Sequence, residues 1–440
     1  MARIAASNST LNTPIAAPSA MVEESSELRV TKSMRNALLP LIEELRKICE
    51  KEGSHGNRTV EAANLLLALF LAFFNTGMTT LRNMETASEH PDGLEWIGVK
   101  TPRTTLSDSL ACLNPDLLLP ILDDLIQRMP ADWAGKNADF ADLAKQIIAV
   151  DGSFFNLAAD VSWALSQKPG GKKNTKAARL NVMLDCERGI PMGVSVRGKG
   201  ESESAAMIKK LVACVVYVCD RGFYSHALIS AILKIDSDFV IRVKSNTQLE
   251  EVKVLPVSKE DAEEWGVISD RLVTPSQWRG EGKAPILRET VLDVSNREGG
   301  RTRIRLLTSL KDVAARIVAM VYQRRWQVEL FFRWLKVNVH YRHLFSHSPR
   351  GVQWQFYAGI LATLAMCQQT GRKPGKHTLT AIKLSIAWGT DLSFSLSIAK
   401  RHEDQIARDG LLRKERIAKR KKEAQESAAK STGSGVAKQN

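Results

Sequence analysis

The sequence predicts an α/β protein with a helical part before a strand-rich centre and another helical part after it. Three observations carry this. From about residue 31 to 130 apolar residues recur at three- and four-residue intervals, the period of amphipathic helices. Near residue 146 the pattern changes to short apolar runs, two of them meeting an aspartate, with helical stretches between. From 351 to 400 the helical pattern returns.

The first 30 residues are rich in Ser, Ala, Thr and Pro and are expected to be disordered; they lack the charged-then-apolar order of a signal sequence. "MRNALLPLIEELRKICEK" and "NRTVEAANLLLALFLAFFNTG" read as helices, the second buried and stopped near Gly77. Its apolar run, 65 to 74, is too short to span a bilayer. "MTTLRNMETASE" and "TPRTTLSDSLACLNPDLLLPILDDLIQRM" follow, with Thr and Ser placed to cap helix starts. Residues 31–135 thus read as a helical domain. Arg103 and Thr104 at a helix entrance suit a DNA-binding module, and a plain helical support domain fits equally.

In the centre, "QIIAVDGSFFNL" is a strand ending at Asp151, then a turn. "AARLNVMLDCERGIPMGVSVRGKG" holds two strands joined through Glu187-Arg188-Gly189, a hairpin signal. "ESESAAMIKKLVAC" is a helix, "VVYVCDRGFYS" a strand ending at Asp220, "HALISAILKI" a helix and "DFVIRVKS" a strand. Residues 251–299 read as a β-rich insertion, and "TRIRLLTSL" resumes the strands. Residues 401–440 form a basic tail, either a frayed helix touching nucleic acid or a merely soluble end.

The 440 residues carry 62 Lys and Arg against 48 Asp and Glu, a net charge of +14. That excess points to an anionic partner, nucleic acid first and an anionic membrane second. The six cysteines are scattered without CxxC spacing, which excludes a cysteine zinc or redox motif and suggests reduced, structural thiols. The histidines form no spaced cluster with cysteine either.

"YQRRWQVELFFRWLK", 322 to 336, has one acid among four basic residues. Taken as one helix at about 100° per residue with Tyr322 at 0°, Arg325 falls at about −60°, Glu329 at about −20° and Lys336 at about −40°. Leu330, Phe331, Trp334, Leu335 and Val328 spread over the opposite, core-facing side. The polar stripe could be a solvated face on which Glu329 pairs with Arg325 and Arg333. It could instead complete a site. Asp151 and Asp220 end apolar strands, where ligands collect in open α/β sheets. If the strands are neighbours, the two carboxylates repel unless a cation or proton intervenes. Hard divalent metals take oxygen ligands, and a third carboxylate on a crossing helix would complete a two-metal site for in-line phosphoryl transfer. Glu329 is the candidate. Asp160 and Asp185 read as turn or surface acids, Trp334 as core, and Trp326 as core or edge.

With these residues in place the chain resembles the DDE transposases of bacterial insertion sequences, in the group with the signature Y-x2-R-x3-E-x6-K (the insertion sequence four family). Tyr322, Arg325, Glu329 and Lys336 match all four positions; "VDGSFF" and "VCDRGF" match the two aspartate motifs. "TTLSD" and "LLTSL" are also similar to family sequence, so the likeness runs over roughly residues 100 to 370. The resemblance implies a ribonuclease-H-like core over 140–250 and 300–350, with the β-rich insertion before the glutamate helix. It implies that Asp151, Asp220 and Glu329 are catalytic and hold Mg²⁺, with Mn²⁺ able to substitute. Tyr322, Arg325 and Lys336 would contact phosphates near the transposon end. Arg333 is expected to contact DNA beside them. Arg221 or Tyr224 could touch substrate, or Arg221 could simply pair with a local acid, and Lys199 could hold phosphate or belong to an ordinary loop. The expected partners are double-stranded DNA, at transposon ends and target, and a second copy in a homodimer. The expected location is the bacterial cytoplasm, at the nucleoid. Two other readings are a defective or domesticated DNA-binding copy and a hydrolytic nuclease of the same fold.

Overall fold

The computed structural model describes residues 43, 45–47, 59–75, 77–130, 143, 145–157, 161–162, 164–167, 175–197, 202–295, 300–338, 344–372, 375–388 and 391–433. The expected disordered start, Lys199, Asp160, Cys49 and the last seven residues lie outside them.

Residues 43 and 45–47 are already helical; then comes α1 (Ala62–Phe74), buried almost all round. Its first turn is closed by a capping box between Glu61 and Asn64, and the Asn64 amide donates to the Ile97 carbonyl at 2.9 Å. Then come α2 (Leu81–Glu89), capped by Thr80, α3 (Pro91–Ile97), α4 (Arg103–Cys112) and, after a 3-10 turn at Pro115–Leu118, α5 (Leu119–Gln127). Gly98, at φ 88, ends α3 in the left-handed conformation that favours glycine.

The centre is one ten-stranded mixed sheet. Its strands are β1 (Gln146–Leu157), β2 (Leu165–Gln167), β3 (Thr175–Asp185), β4 (Ile190–Arg197), β5 (Val215–Cys219), β6 (Asp238–Val243), β7 (Leu249–Val254), β8 (Val267–Pro275), β9 (Leu287–Ser295) and β10 (Arg301–Thr308). The order is β2-β3-β1-β5-β6-β10-β9-β8-β7, with β4 also on β3. β4, β3 and β1 run antiparallel; β1, β5 and β6 run parallel. The strands of residues 249–295 therefore continue the same sheet, joined through the antiparallel pair β6 and β10. Glu289 of β9, fully buried, is held there between Arg271 and Arg305.

One sheet face carries α6 (Glu203–Ile208) and α7 (His226–Lys234), packed on Tyr217, Phe239 and Ile241. The other carries α9 (Ala315–Gln323), α10 (Trp326–Asn338) and the long buried α11 (Pro349–Thr370). The insertion helix α8 spans Lys259–Trp265. α12 (Lys376–Trp388) and α13 (Leu392–Gly433) follow. Through α11 the helical part and the sheet share one core. The Trp354 indole donates to the Leu113 carbonyl at 3.0 Å, Arg350 donates to the Cys112 carbonyl, and the Phe356 ring lies 4.7 Å from that of Phe155.

Several expectations change. β1 does not turn after Asp151 but runs on to Leu157, paired with β3 throughout. Asp185 is a turn acid, as one of its two readings had it, but it is not on the surface. It is fully buried at the β3–β4 turn and accepts from Gln146, from the Glu187 and Arg188 N–H groups and from the Arg188 side chain. The helix after 202 is only Glu203–Ile208. Residues 322 to 336 are not one helix: α9 ends at Gln323 and α10 begins at Trp326, with 3-10-type bonds from Arg325 N–H to the Tyr322 carbonyl and from Gln327 N–H to the Arg324 carbonyl. The break also rotates the wheel, so Leu330 is 45% exposed while Phe332 is buried. The tail is helical as far as Gly433, as a continuation of α13.

The five described cysteines form no disulfide. Among the described residues no helix is long and apolar enough to cross a membrane.

Candidate active site

Side chains alternate across a strand, and register decides which of them meet. Val150 of β1 pairs with Cys219 of β5, and Cys219 pairs with Ile241 of β6, all in parallel. The next residues along, Asp151, Asp220 and Arg242, therefore come side by side where the parallel strands end. Val150, Cys219 and Ile241 belong to the core under α6 and α7, so Asp151, Asp220 and Arg242 face the other way, towards α9 and α10.

Those helices and the break between them answer with Tyr322, Arg325, Glu329 and Lys336, and β6 adds Arg242. Tyr322, near the end of α9, donates its hydroxyl to Asp220 Oδ1 at 3.4 Å. Arg242 Nη1 lies 3.8 Å from the same oxygen. Arg325, at the helix break, spans two acids: Nη1 to Asp151 Oδ2 at 3.1 Å and Nη2 to Glu329 Oε1 at 2.6 Å. Lys336, in the last turn of α10, donates to Ser153 Oγ at 2.6 Å and lies over the Phe155 ring at 4.9 Å. Residues more than 170 positions apart in sequence thus form one row of alternating charges.

Burial raises the pKa of Asp151, opposed by the Gly152 N–H and by Arg325 and Arg179, and reinforced by Asp220. Burial likewise raises Tyr322, with the Asp220 charge adding to it, so its phenol is held protonated as a donor. Lys336 is lowered by burial alone. For Arg325 burial works against the charge, but Tyr322, Glu329 and Asp151 outweigh it.

The donors suit a hard cation, being carboxylate oxygens with no thiolate or imidazole among them. Yet among the described residues no three acidic, His or Cys side chains gather closely enough to hold a metal ion. Arg325 stands between Asp151 and Glu329 and supplies the positive charge they require. A metal held by all three acids needs that guanidinium to give way.

The remaining expected residues fall outside this row. Arg333 is exposed on α10, and Glu329 pairs with Arg325 rather than with it. Arg221 is exposed on the 3-10 turn (Arg221–Phe223) directly after Asp220. Tyr224 contacts His226 instead. Trp334 is buried, whereas Trp326 is 40% exposed at the start of α10. Sequence reading missed Arg242 and Ser153. Arg242 could have been found by aligning the ends of "VVYVCD" and "DFVIRV" as neighbouring parallel strands.

Fold and site together define a mixed α/β protein with two carboxylates side by side where the parallel pairing of β1 and β5 ends, and cations interleaved among them. The sequence matches the family described as Transposase DDE domain over residues 142–366, just over half of the chain, and the chain belongs to that family. It is 28% identical over 191 residues to the putative transposase y4zB of Sinorhizobium fredii, covering 42% of this chain and 52% of that protein. It is 29% identical over 186 residues to the probable transposase for insertion sequence element IS5377 of Geobacillus stearothermophilus, covering 42% and 47%. It is also 24% identical over 194 residues to the putative transposase for IS4SA of Synechocystis, covering 42% and 50%. The chain thus spans about half the length of the curated relatives it matches. Among solved structures, the piggyBac transposase synaptic complex with hairpin DNA is similar with a TM-score of 0.41 and 11% identity, covering 82% of this chain and 80% of that one.

Proposed function

We propose that the chain is a transposase that binds terminal inverted repeats and catalyses metal-dependent DNA strand cleavage and strand transfer. The observation that carries this is the placing of Asp151 and Asp220 side by side on parallel strands beneath the helices bearing Tyr322, Arg325, Glu329 and Lys336. The strand order β4-β3-β1-β5-β6, three antiparallel and then two parallel to β1, supports a ribonuclease-H-like core.

In this reading Asp151, Asp220 and Glu329 hold Mg²⁺ or Mn²⁺. Bound there, the metal supplies activation of the attacking water or 3′-hydroxyl and stabilisation of the leaving oxygen. Lys336 and the Tyr322 hydroxyl line the row and grip phosphate oxygens. Arg325 moves from its carboxylates to a phosphate when the acids take up metal. Arg221, exposed one residue after Asp220, contacts the DNA strand at the mouth. These groups meet the backbone and so position the duplex without reading its bases. The helical part, with Arg103 and Thr104 exposed at the start of α4, reads the terminal repeat, and two copies pair in the DNA complex.

The test is purified protein with its own flanking inverted repeats and Mg²⁺. Cleavage at the repeat followed by joining to a target duplex is expected. Asp151→Asn, Asp220→Asn and Glu329→Gln should each abolish cleavage and leave repeat binding intact. Hydrolysis without joining would make the chain a nuclease, and binding without cleavage a DNA-binding protein alone.

A further inference from the structure

On the sheet face opposite α10 a second ionic pair lies under the two aspartates. Arg179 of β3 sits across from Phe154 of β1, its guanidinium over that ring at 4.9 Å. Arg179 Nη1 is ion-paired with Glu203 Oε1, the first residue of α6; the side chains are 14% and 18% exposed.

Two glycines show how close this pair comes to the site. Gly152 follows Asp151, and a Cβ there would fall 2.2 Å from Arg179 Nε and 2.4 Å from Asn181 Oδ1. Gly222 lies two residues after Asp220, and a Cβ there would fall 3.2 Å from Glu203 Oε2. The guanidinium thus rests against the backbone beside one aspartate, and its partner carboxylate against the backbone beside the other. Only glycine leaves room for the first approach. A pair placed only for stability could lie anywhere along β3 and α6, whereas this one touches both segments that carry the acids.

We propose that the Arg179–Glu203 pair is a positioning clamp that fixes the distance between the Asp151 and Asp220 carboxylates from the rear of the sheet. This rests on the reading of those aspartates as metal ligands. Arg179 and Glu203 touch neither metal nor substrate in this role. They act through the backbone at Gly152 and Gly222. Groups that orient metal ligands from behind typically change metal affinity about 10- to 100-fold when removed.

The test measures Mn²⁺ binding to the full chain by calorimetry and electron paramagnetic resonance, with thermal unfolding in EDTA run alongside. Glu203→Gln keeps shape but removes the charge, Arg179→Lys keeps the charge but not the fork, and Arg179→Glu with Glu203→Arg exchanges the partners. Glu203→Gln should weaken Mn²⁺ binding by about tenfold or more, and Arg179→Lys by less. The exchanged pair should recover most of the loss, because the coupling belongs to the pair. Wild-type Mn²⁺ affinity in Glu203→Gln would overturn the clamp, as would a lowered unfolding temperature with affinity unchanged. An exchanged pair no better than the single variants would overturn it too. Asp151→Asn serves as the control for the site itself. If it binds Mn²⁺ as wild type does, the metal-site reading fails and the clamp with it. If it loses Mn²⁺ while Glu203→Gln does not, the clamp alone fails.

Discussion

Arg325→Ala removes a cation shared by Asp151 and Glu329, and its cost follows from the geometry. The Asp151 contact is 3.1 Å long, with side chains only 17% and 19% exposed. Breaking a buried ion pair by deleting one partner typically costs about 3–5 kcal/mol, because the other charge is left uncompensated. The contact to Glu329 is shorter, but Glu329 is 33% exposed and four residues away, so it adds about 0.5 kcal/mol at most. The neighbouring Glu329 and Asp220 side chains are 33% and 35% exposed, which favours the lower figure, a loss of about 3 kcal/mol at neutral pH without metal. The pH dependence has a definite sign. Burial already raises the Asp151 pKa and Arg325 opposes that rise, so removing Arg325 raises it further. A carboxyl whose folded pKa exceeds its unfolded value costs stability above the unfolded value, about 3.9, and that cost fades as pH falls and the group protonates. The deficit of Arg325→Ala should therefore be largest near pH 7 and shrink towards pH 4. Mn²⁺ should narrow it as well, since a ligand at about 100 times its dissociation constant adds about 2.7 kcal/mol to the state that binds it. The variant should gain more than wild type, which must first displace the guanidinium. Urea unfolding in EDTA and in Mn²⁺ at several pH values measures all of this. Equal stability of variant and wild type at pH 7, with equal gains from Mn²⁺, would refute the reasoning.

Lys336→Ala should weaken binding of the cleaved end and reduce the slope of log affinity against log salt by about one, with sequence preference unchanged. An unchanged slope would confine Lys336 to its contacts with Ser153 and Phe155. Asp185→Ala should cost about 3 kcal/mol, because it strands Arg188, Gln146 and two backbone N–H groups in a buried turn. Chemical denaturation gives the figure, and a loss below about 1 kcal/mol would show that water replaces the carboxylate there.

Much of the site was legible because each acid sits in a context that local sequence records. Asp220 ends a five-residue apolar strand, and Glu329 stands at fixed spacing from Tyr322, Arg325 and Lys336. What sequence hid was set by partners far along the chain. "QRRWQ" contains no glycine or proline to announce a break. The break coincides with a guanidinium bound to a carboxylate 174 residues away, a tertiary demand that no helical window contains. "VDGSFF" reads as a turn because Asp and Gly favour turns. In the fold Gly152 remains in β1, where its missing side chain admits Arg179 and Asn181. Arg242 looks like any surface arginine until the β5–β6 register sets it beside Asp220.

The charge row also constrains what can enter it. Asp151, Asp220 and Glu329 contribute three negative charges, and Arg242, Arg325 and Lys336 three positive ones. The site is therefore close to balanced as it stands. A DNA phosphate arriving alone would add negative charge beside three acids, and a divalent ion arriving alone would meet Arg325 between two of the acids proposed to hold it. Arriving together, each offsets the charge of the other, and the displaced guanidinium finds a phosphate to pair with. Metal and DNA should thus bind with positive coupling. Linkage requires the effect to be reciprocal: Ca²⁺, which need not support cleavage, should tighten duplex binding by the factor by which the duplex tightens Ca²⁺. A coupling of about 1–3 kcal/mol corresponds to roughly 5- to 150-fold. It should fall sharply in Arg325→Ala, where the metal no longer displaces a cation that the phosphate would accept. Duplex affinity measured by fluorescence anisotropy in Ca²⁺ and in EDTA, for wild type and variant, decides the matter. Equal affinity in the two conditions for wild type would show that the row does not act as one electrostatic unit.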